Sequence, residues 1–155
     1  MRDKKVKCRY QFCQHKDREL NKSEAVVKSS GYYHEDCSRT QDQIKEIVDL
    51  FVKHINPNPV FTQLQSVIKN IVFKRGLGSD YLLFGLKYYI ERNIPLNYPQ
   101  GLYYVVQNKD VAAAYKQAQV KKEKQEHKIE IKEEGQTTHF NYAPVKEKSI
   151  LDILQ

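Results

Sequence analysis

The chain has 155 residues, room for one ordinary domain or two small ones. Hydrophobic residues supply 40% and charged residues 29%, which permits a core of modest size. No apolar run reaches the roughly 18 residues of a membrane-spanning helix, and the charged start from Met1 to Lys7 lacks the apolar stretch of a secretory signal. Three cysteines are an odd number, which argues against a disulfide framework and for a reducing cytoplasm. A net charge of +7 favours an anionic partner.

In chain order, residues 1–37 hold all three cysteines among short polar stretches such as Lys28-Ser29-Ser30-Gly31, and read as a small unit with little core of its own. Residues 38–116 read as an all-α domain of about five helices. Ser38 or Thr40 can cap the first, along which Ile44, Ile47, Val48, Phe51, Val52 and Ile55 form an apolar stripe. Asn56-Pro57-Asn58-Pro59 ends it, and Asn58 with Pro59 can open the second. There Phe61, Leu64, Val67, Ile68, Ile71 and Val72 form the stripe, and Gly76 supplies the stop. Ser79 caps a third helix carrying Leu82, Leu83, Leu86 and Ile90. A short helix from Pro99 carries Leu102, Val105 and Val106, and a last one opens near Asp110. Residues 117–148 turn Lys/Glu/Gln-rich. They extend that helix and then, beyond about Lys132, become a flexible linker that cannot offset its ordering entropy. Residues 149–155 are apolar again.

Cys8 and Cys13 are separated by four residues, and His34 and Cys37 by two. A zinc ion takes four such ligands in a tetrahedron, and short spacings let both members of a pair converge from one turn. The second pair precedes a strong helix, which matches a treble-clef or LIM-like finger. His15 is a rival fourth ligand, at a tight Cys13-x-His15 spacing that leaves His34 without a role. A metal also explains how a segment so poor in apolar mass can fold. Four protein ligands leave no open position for water, so the expected zinc is structural. Signatures of nucleophilic, P-loop and deaminase enzymes are absent from the sequence, and the expectation is a non-enzyme with no catalytic residues.

Up to Cys37, nine cations stand against six carboxylates, mixed with Tyr10, Phe12, Tyr32 and Tyr33. Lys and Arg bind phosphates, and aromatics stack on unpaired bases. Lys4, Lys5, Lys7 and Arg9 form the main candidate nucleic-acid contact run, with Arg18 nearby and Lys74 and Arg75 beside Gly76-x-Gly78. A second cluster, Tyr88, Tyr89, Tyr98, Tyr103 and Tyr104, reads as helix packing.

With Cys8 to Cys37 ending in Tyr32-Tyr33-His34-x-x-Cys37, followed by Asp80-Tyr81-Leu82-Leu83-Phe84-Gly85-Leu86-Lys87-Tyr88-Tyr89-Ile90, Asn93-Ile94-Pro95 and Pro99-Gln100-Gly101-Leu102-Tyr103-Tyr104, the chain resembles small zinc-finger proteins of Gram-positive phages and prophages. Its latter half is faintly similar to the C-terminal helical module of DnaD-like replication initiators. The resemblance implies phage DNA metabolism or host takeover, in the cytoplasm of a bacterial host. The tail Ile150-Leu151-Asp152-Ile153-Leu154 is similar to bacterial sliding-clamp-binding pentapeptides, with Leu151 and Asp152 matching and Ile150 in place of the usual Gln. Two apolar anchors on a tether can enter a partner pocket at small ordering cost. The expected function is an adaptor joining nucleic acid to a replication or transcription protein, away from membranes. The alternative is a protein-interaction module that inhibits or recruits a host factor without nucleic acid.

Overall fold

The computed structural model describes residues 3–134, with side chains as far as Glu126. The linker beyond 134 and the apolar tail with Ile150, Leu151, Asp152, Ile153 and Leu154 lie outside the described residues. Those up to Gln117 gather into one unit and those from Ala118 into another.

The cysteine-bearing segment holds four short strands where its sequence reads only as turns. Strands β1 (Lys5–Lys7) and β2 (Glu19–Asn21) pair antiparallel, with Val6 opposite Leu20. Strands β3 (Val26–Lys28) and β4 (Gly31–Tyr33) form a tight hairpin over Ser29-Ser30, with Val27 opposite Tyr32. Gly31 takes a φ of 135°, and a Cβ there would lie 2.9 Å from the Arg9 side chain, so two requirements meet at one glycine. A bridge from Cys8 to Tyr32 links the two ribbons. Alternation in such short strands leaves little periodic signal. The segment nevertheless has a small core of Cys8, Tyr10, Leu20, Tyr33 and Cys37.

Helix α1 runs Glu35–His54 and begins earlier than the Ser38 or Thr40 cap anticipates. Glu35 and Asp36 occupy its first turn, where carboxylates favour the positive end of the dipole. Ser38 is already inside the helix and donates its N–H to the His34 carbonyl at 2.9 Å. Helix α2 (Phe61–Lys69) starts after Val60, not Asn58, because the Asn56 side chain accepts the Asn58 N–H at 3.0 Å and holds a turn there. A π-helical turn, Asn70–Lys74, continues α2, and Gly76 follows with a φ of 65°. Helix α3 (Ser79–Glu91) is preceded by Gly78 at a φ of 77°, so Ser79 is its first residue and not its cap. Helices α4 (Gly101–Gln107) and α5 (Lys109–Glu134) complete the five helices of the described residues.

The apolar stripes meet as their spacing requires. Ile47 and Phe51 of α1, Leu64 and Ile68 of α2, Leu82 and Leu86 of α3, Leu102 and Val105 of α4, and Val111 of α5 are fully buried. Phe61, counted in the second stripe by spacing, is exposed at the start of α2. Gly85 sits where α3 and α4 approach closely; a Cβ there would lie 2.7 Å from the Val105 side chain. The tyrosines divide. Tyr89 is buried, with its hydroxyl accepting the Asn108 amide at 3.1 Å, whereas Tyr98 and Tyr104 are exposed. No helix among the described residues is long and apolar enough to cross a membrane.

Phe51 is the largest of the fully buried side chains. Truncation forfeits its transfer energy and leaves a void that the packed helices cannot fill. Phe51→Ala is expected to lower unfolding stability by about 3–5 kcal/mol in urea titration. A loss below about 1 kcal/mol would contradict this core.

Candidate metal centre

Four side chains from three places in the segment converge. Cys8 follows β1, and its N–H bonds the Arg18 carbonyl at 2.8 Å. Cys13 closes a turn in which its N–H reaches the Tyr10 carbonyl at 3.2 Å. His34 is the extended residue that caps α1, and Cys37 lies in the first turn of that helix. The three sulfurs and one imidazole nitrogen all lie within 4.8 Å of one another.

Metal–sulfur bonds of about 2.3 Å and metal–nitrogen bonds of about 2.0–2.1 Å give tetrahedral edges of about 3.6 Å between S and N. His34 Nδ1 lies 3.5 Å from Cys13 Sγ and 3.9 Å from Cys37 Sγ, close to those edges. The other ring nitrogen, Nε2, lies 3.3 Å from the Glu19 carbonyl oxygen of β2. A carbonyl only accepts, so Nε2 carries the proton and Nδ1 turns its lone pair toward the sulfurs. Donor set, spacing and tautomer together fit a tetrahedral divalent ion and are compatible with zinc. Cys8, Cys13 and Cys37 are free thiols.

The electrostatics are those of like groups crowded together. Burial raises the Cys8 thiol, but the backbone N–H groups of His34 and Tyr10 and the side chains of His34 and Cys13 outweigh it and bring it below its ordinary value. Cys37 is pushed well up, first by burial and then by the other two sulfurs and Asp36. Negative charge on the neighbouring sulfurs thus opposes ionisation of Cys37, and a divalent cation among them would remove the conflict.

A second constellation, His15, His34, Asp36 and Cys37, shares two of these residues. One ion cannot use both sets in full. The first set offers three thiolates, two of them buried, whereas His15 and Asp36 are exposed. His15 is already engaged: its Nε2 lies 2.8 Å from Asp36 Oδ2, and its ring stacks on His34 at 3.9 Å. Burial raises Asp36, but the His15 hydrogen bond and the Cys37 N–H outweigh it and hold the carboxyl low.

The sequence-selected cations are not members of this cluster, although Lys7 and Arg9 flank Cys8 in the chain. Lys4, Lys5, Lys7 and Arg9 are exposed along and beside β1, with Lys5 Nζ 3.3 Å from Glu19 Oε2. Arg18 donates to the Gln11 carbonyl at 3.1 Å. Arg75 lies 4.5 Å from the centre of the Tyr103 ring, whereas Lys74 is exposed at the end of the π-turn. Two cations that sequence reasoning passed over, Lys45 and Lys69, share a groove with Arg9 and Phe12. On polar helix faces they carry no local signature. Comparison with protein-family models, curated proteins and solved structures gave no match.

Tyr10 packs in the same small core, and its buried hydroxyl has no hydrogen-bond partner among the described residues. Burial, reinforced by the Cys37 charge, pushes its phenol up to about 12. An unpartnered buried hydroxyl costs desolvation with no return. Tyr10→Phe is therefore expected to leave thermal stability unchanged or raise it by about 1–2 kcal/mol. A loss of that size would mean that the hydroxyl is bonded.

Proposed function

We propose that this chain is a non-enzymatic zinc-finger adaptor of the phage type, which binds nucleic acid through its finger. The observation that carries the reading is the convergence of three thiols and one imidazole nitrogen within 4.8 Å of one another, with His34 Nδ1 3.5 Å and 3.9 Å from two of the sulfurs. Four protein ligands fill a zinc shell and leave no position for an attacking water, so the metal is structural. The order of knuckle (Cys8, Cys13), hairpin (β3–β4) and helix start (His34, Cys37) supports a treble-clef or LIM-like finger. Zinc ties the two ribbons to α1, and metal-binding energy becomes folding energy for a segment with only five buried apolar residues.

Lys4, Lys5, Lys7 and Arg9 are exposed along and beside the ribbon so fixed. Cations on a rigid strand contact phosphates at little further entropic cost. The helical unit serves as scaffold, and the tail from Ile150 to Leu154 recruits a replication or transcription protein of the bacterial host, such as a sliding clamp.

Salt dependence tests this function. If four cations neutralise phosphates, log K for an oligonucleotide falls linearly with log salt, with a slope of about −3. The triple variant Lys4→Ala/Lys5→Ala/Lys7→Ala should lower that slope by about 2. A slope near zero, or one unchanged in the variant, would reject nucleic-acid binding by the finger.

A further inference from the structure

Between the knuckle and the helices runs a groove that shares Arg9 with the β1 cation run and is lined by none of the four converging side chains of the metal cluster. One hollow of ≈ 470 Å³ lies between Arg9 to Phe12 and the faces of α1 and α2 that carry Lys45 and Lys69. A second, of ≈ 440 Å³, adjoins it and continues along α2 to Phe73 and Lys74. The two share Phe12, Gln65 and Lys69, so the groove is elongated.

Its chemistry is one-sided. Arg9, Lys45, Lys69 and Lys74 line it, and among the described residues no carboxylate does. The α1 acids nearest in sequence to Lys45 are drawn elsewhere: Asp42 pairs with Lys28 at 2.6 Å and Glu46 with Lys87 at 2.7 Å. Between the cations stand neutral groups. Gln11 and Gln65 are exposed amides able both to donate and to accept. Phe12 stacks on Phe73 at 4.7 Å between ring centres, with the Lys69 ammonium 5.2 Å from the Phe12 ring.

We infer that this groove takes a single-stranded nucleic acid. The inference rests on the nucleic-acid reading above and assigns it a second contact surface, which meets the β1 run only at Arg9. Spaced cations suit successive phosphates along an extended polymer, better than they suit one small anion. Amides meet base edges, and the Phe12–Phe73 pair supplies an apolar floor for an unpaired base. An acidic peptide would satisfy the cations and leave the aromatic floor and amides unused.

The test uses the full chain and fluorescently labelled oligonucleotides: a mixed-sequence DNA single strand, the RNA of the same sequence, and the DNA duplex. Poly-glutamate serves as competitor. The double variant Lys45→Ala/Lys69→Ala changes two exposed helix positions, and an unchanged thermal midpoint and metal content verify its fold. The expected result is tighter binding of single strands than of duplex. The double variant should bind single strands about tenfold more weakly, with a salt slope lower by about 1.4, and bind duplex as before. The ratio of DNA to RNA affinity identifies the sugar. Single-strand binding unchanged in the double variant but lost in Lys4→Ala/Lys5→Ala/Lys7→Ala would overturn the groove and leave the finger reading standing. Competition by poly-glutamate at equal charge concentration would also overturn it. Failure to bind any oligonucleotide would overturn both readings.

Discussion

Three sulfurs and one ring nitrogen within 4.8 Å of one another are the constraint on which the first quarter of the chain depends. Each comes from a different local need. Cys8 ends a strand, Cys13 closes a turn, and His34 and Cys37 bracket the start of a helix. No single short-range interaction would hold these three places together. Two-stranded ribbons are marginal alone, and the core around them is small. The Glu19 carbonyl, by holding His34 Nε2, decides which nitrogen faces the sulfurs and so extends the constraint to β2.

The helices obey a different logic. Their stability comes from apolar stripes that bury Phe51, Leu64, Leu86 and Leu102 in one cluster. The two cores are joined sparingly. Phe73, at the π-turn after α2, packs against both and stacks on Phe12. Lys28 adds a polar tie, reaching from β3 to the Ser38 carbonyl and to Gln41 and Asp42 of α1. A groove lies beside this aromatic junction, lined by the Arg9–Phe12 stretch and by residues of α1 and α2. Arg9 of the cysteine-bearing segment and Lys69 of α2 line that groove together.

Much of this was legible in the chain. Helix periodicity marks the interior because a core face needs apolar residues at spacings of three and four, and Ile47, Phe51, Leu64, Ile68, Leu82 and Leu86 obey it. The four side chains that converge were legible as a candidate metal set because thiols and an imidazole at short paired spacings are rare outside metal sites. The strands were not: three residues are too few to alternate detectably, and their partners lie across a turn. Helix starts were misplaced wherever capping came from something other than a Ser or Asn side chain. At α1 the cap is the extended His34, at α3 it is Gly78 with its positive φ, and neither forms a side-chain cap. Lys45 and Lys69 were invisible as a pair because only the packing of α1 on α2 brings them to one groove. Arg75, singled out beside a glycine-rich stretch, instead lies over Tyr103.

The most direct measurement is X-ray absorption at the zinc edge on the purified full chain, with elemental analysis of the same sample. The account predicts one zinc per chain, with three sulfur neighbours at about 2.3 Å and one nitrogen at about 2.0–2.1 Å. A shell of nitrogen and oxygen only, or a chain folded from Lys4 to Cys37 without bound metal, would contradict it.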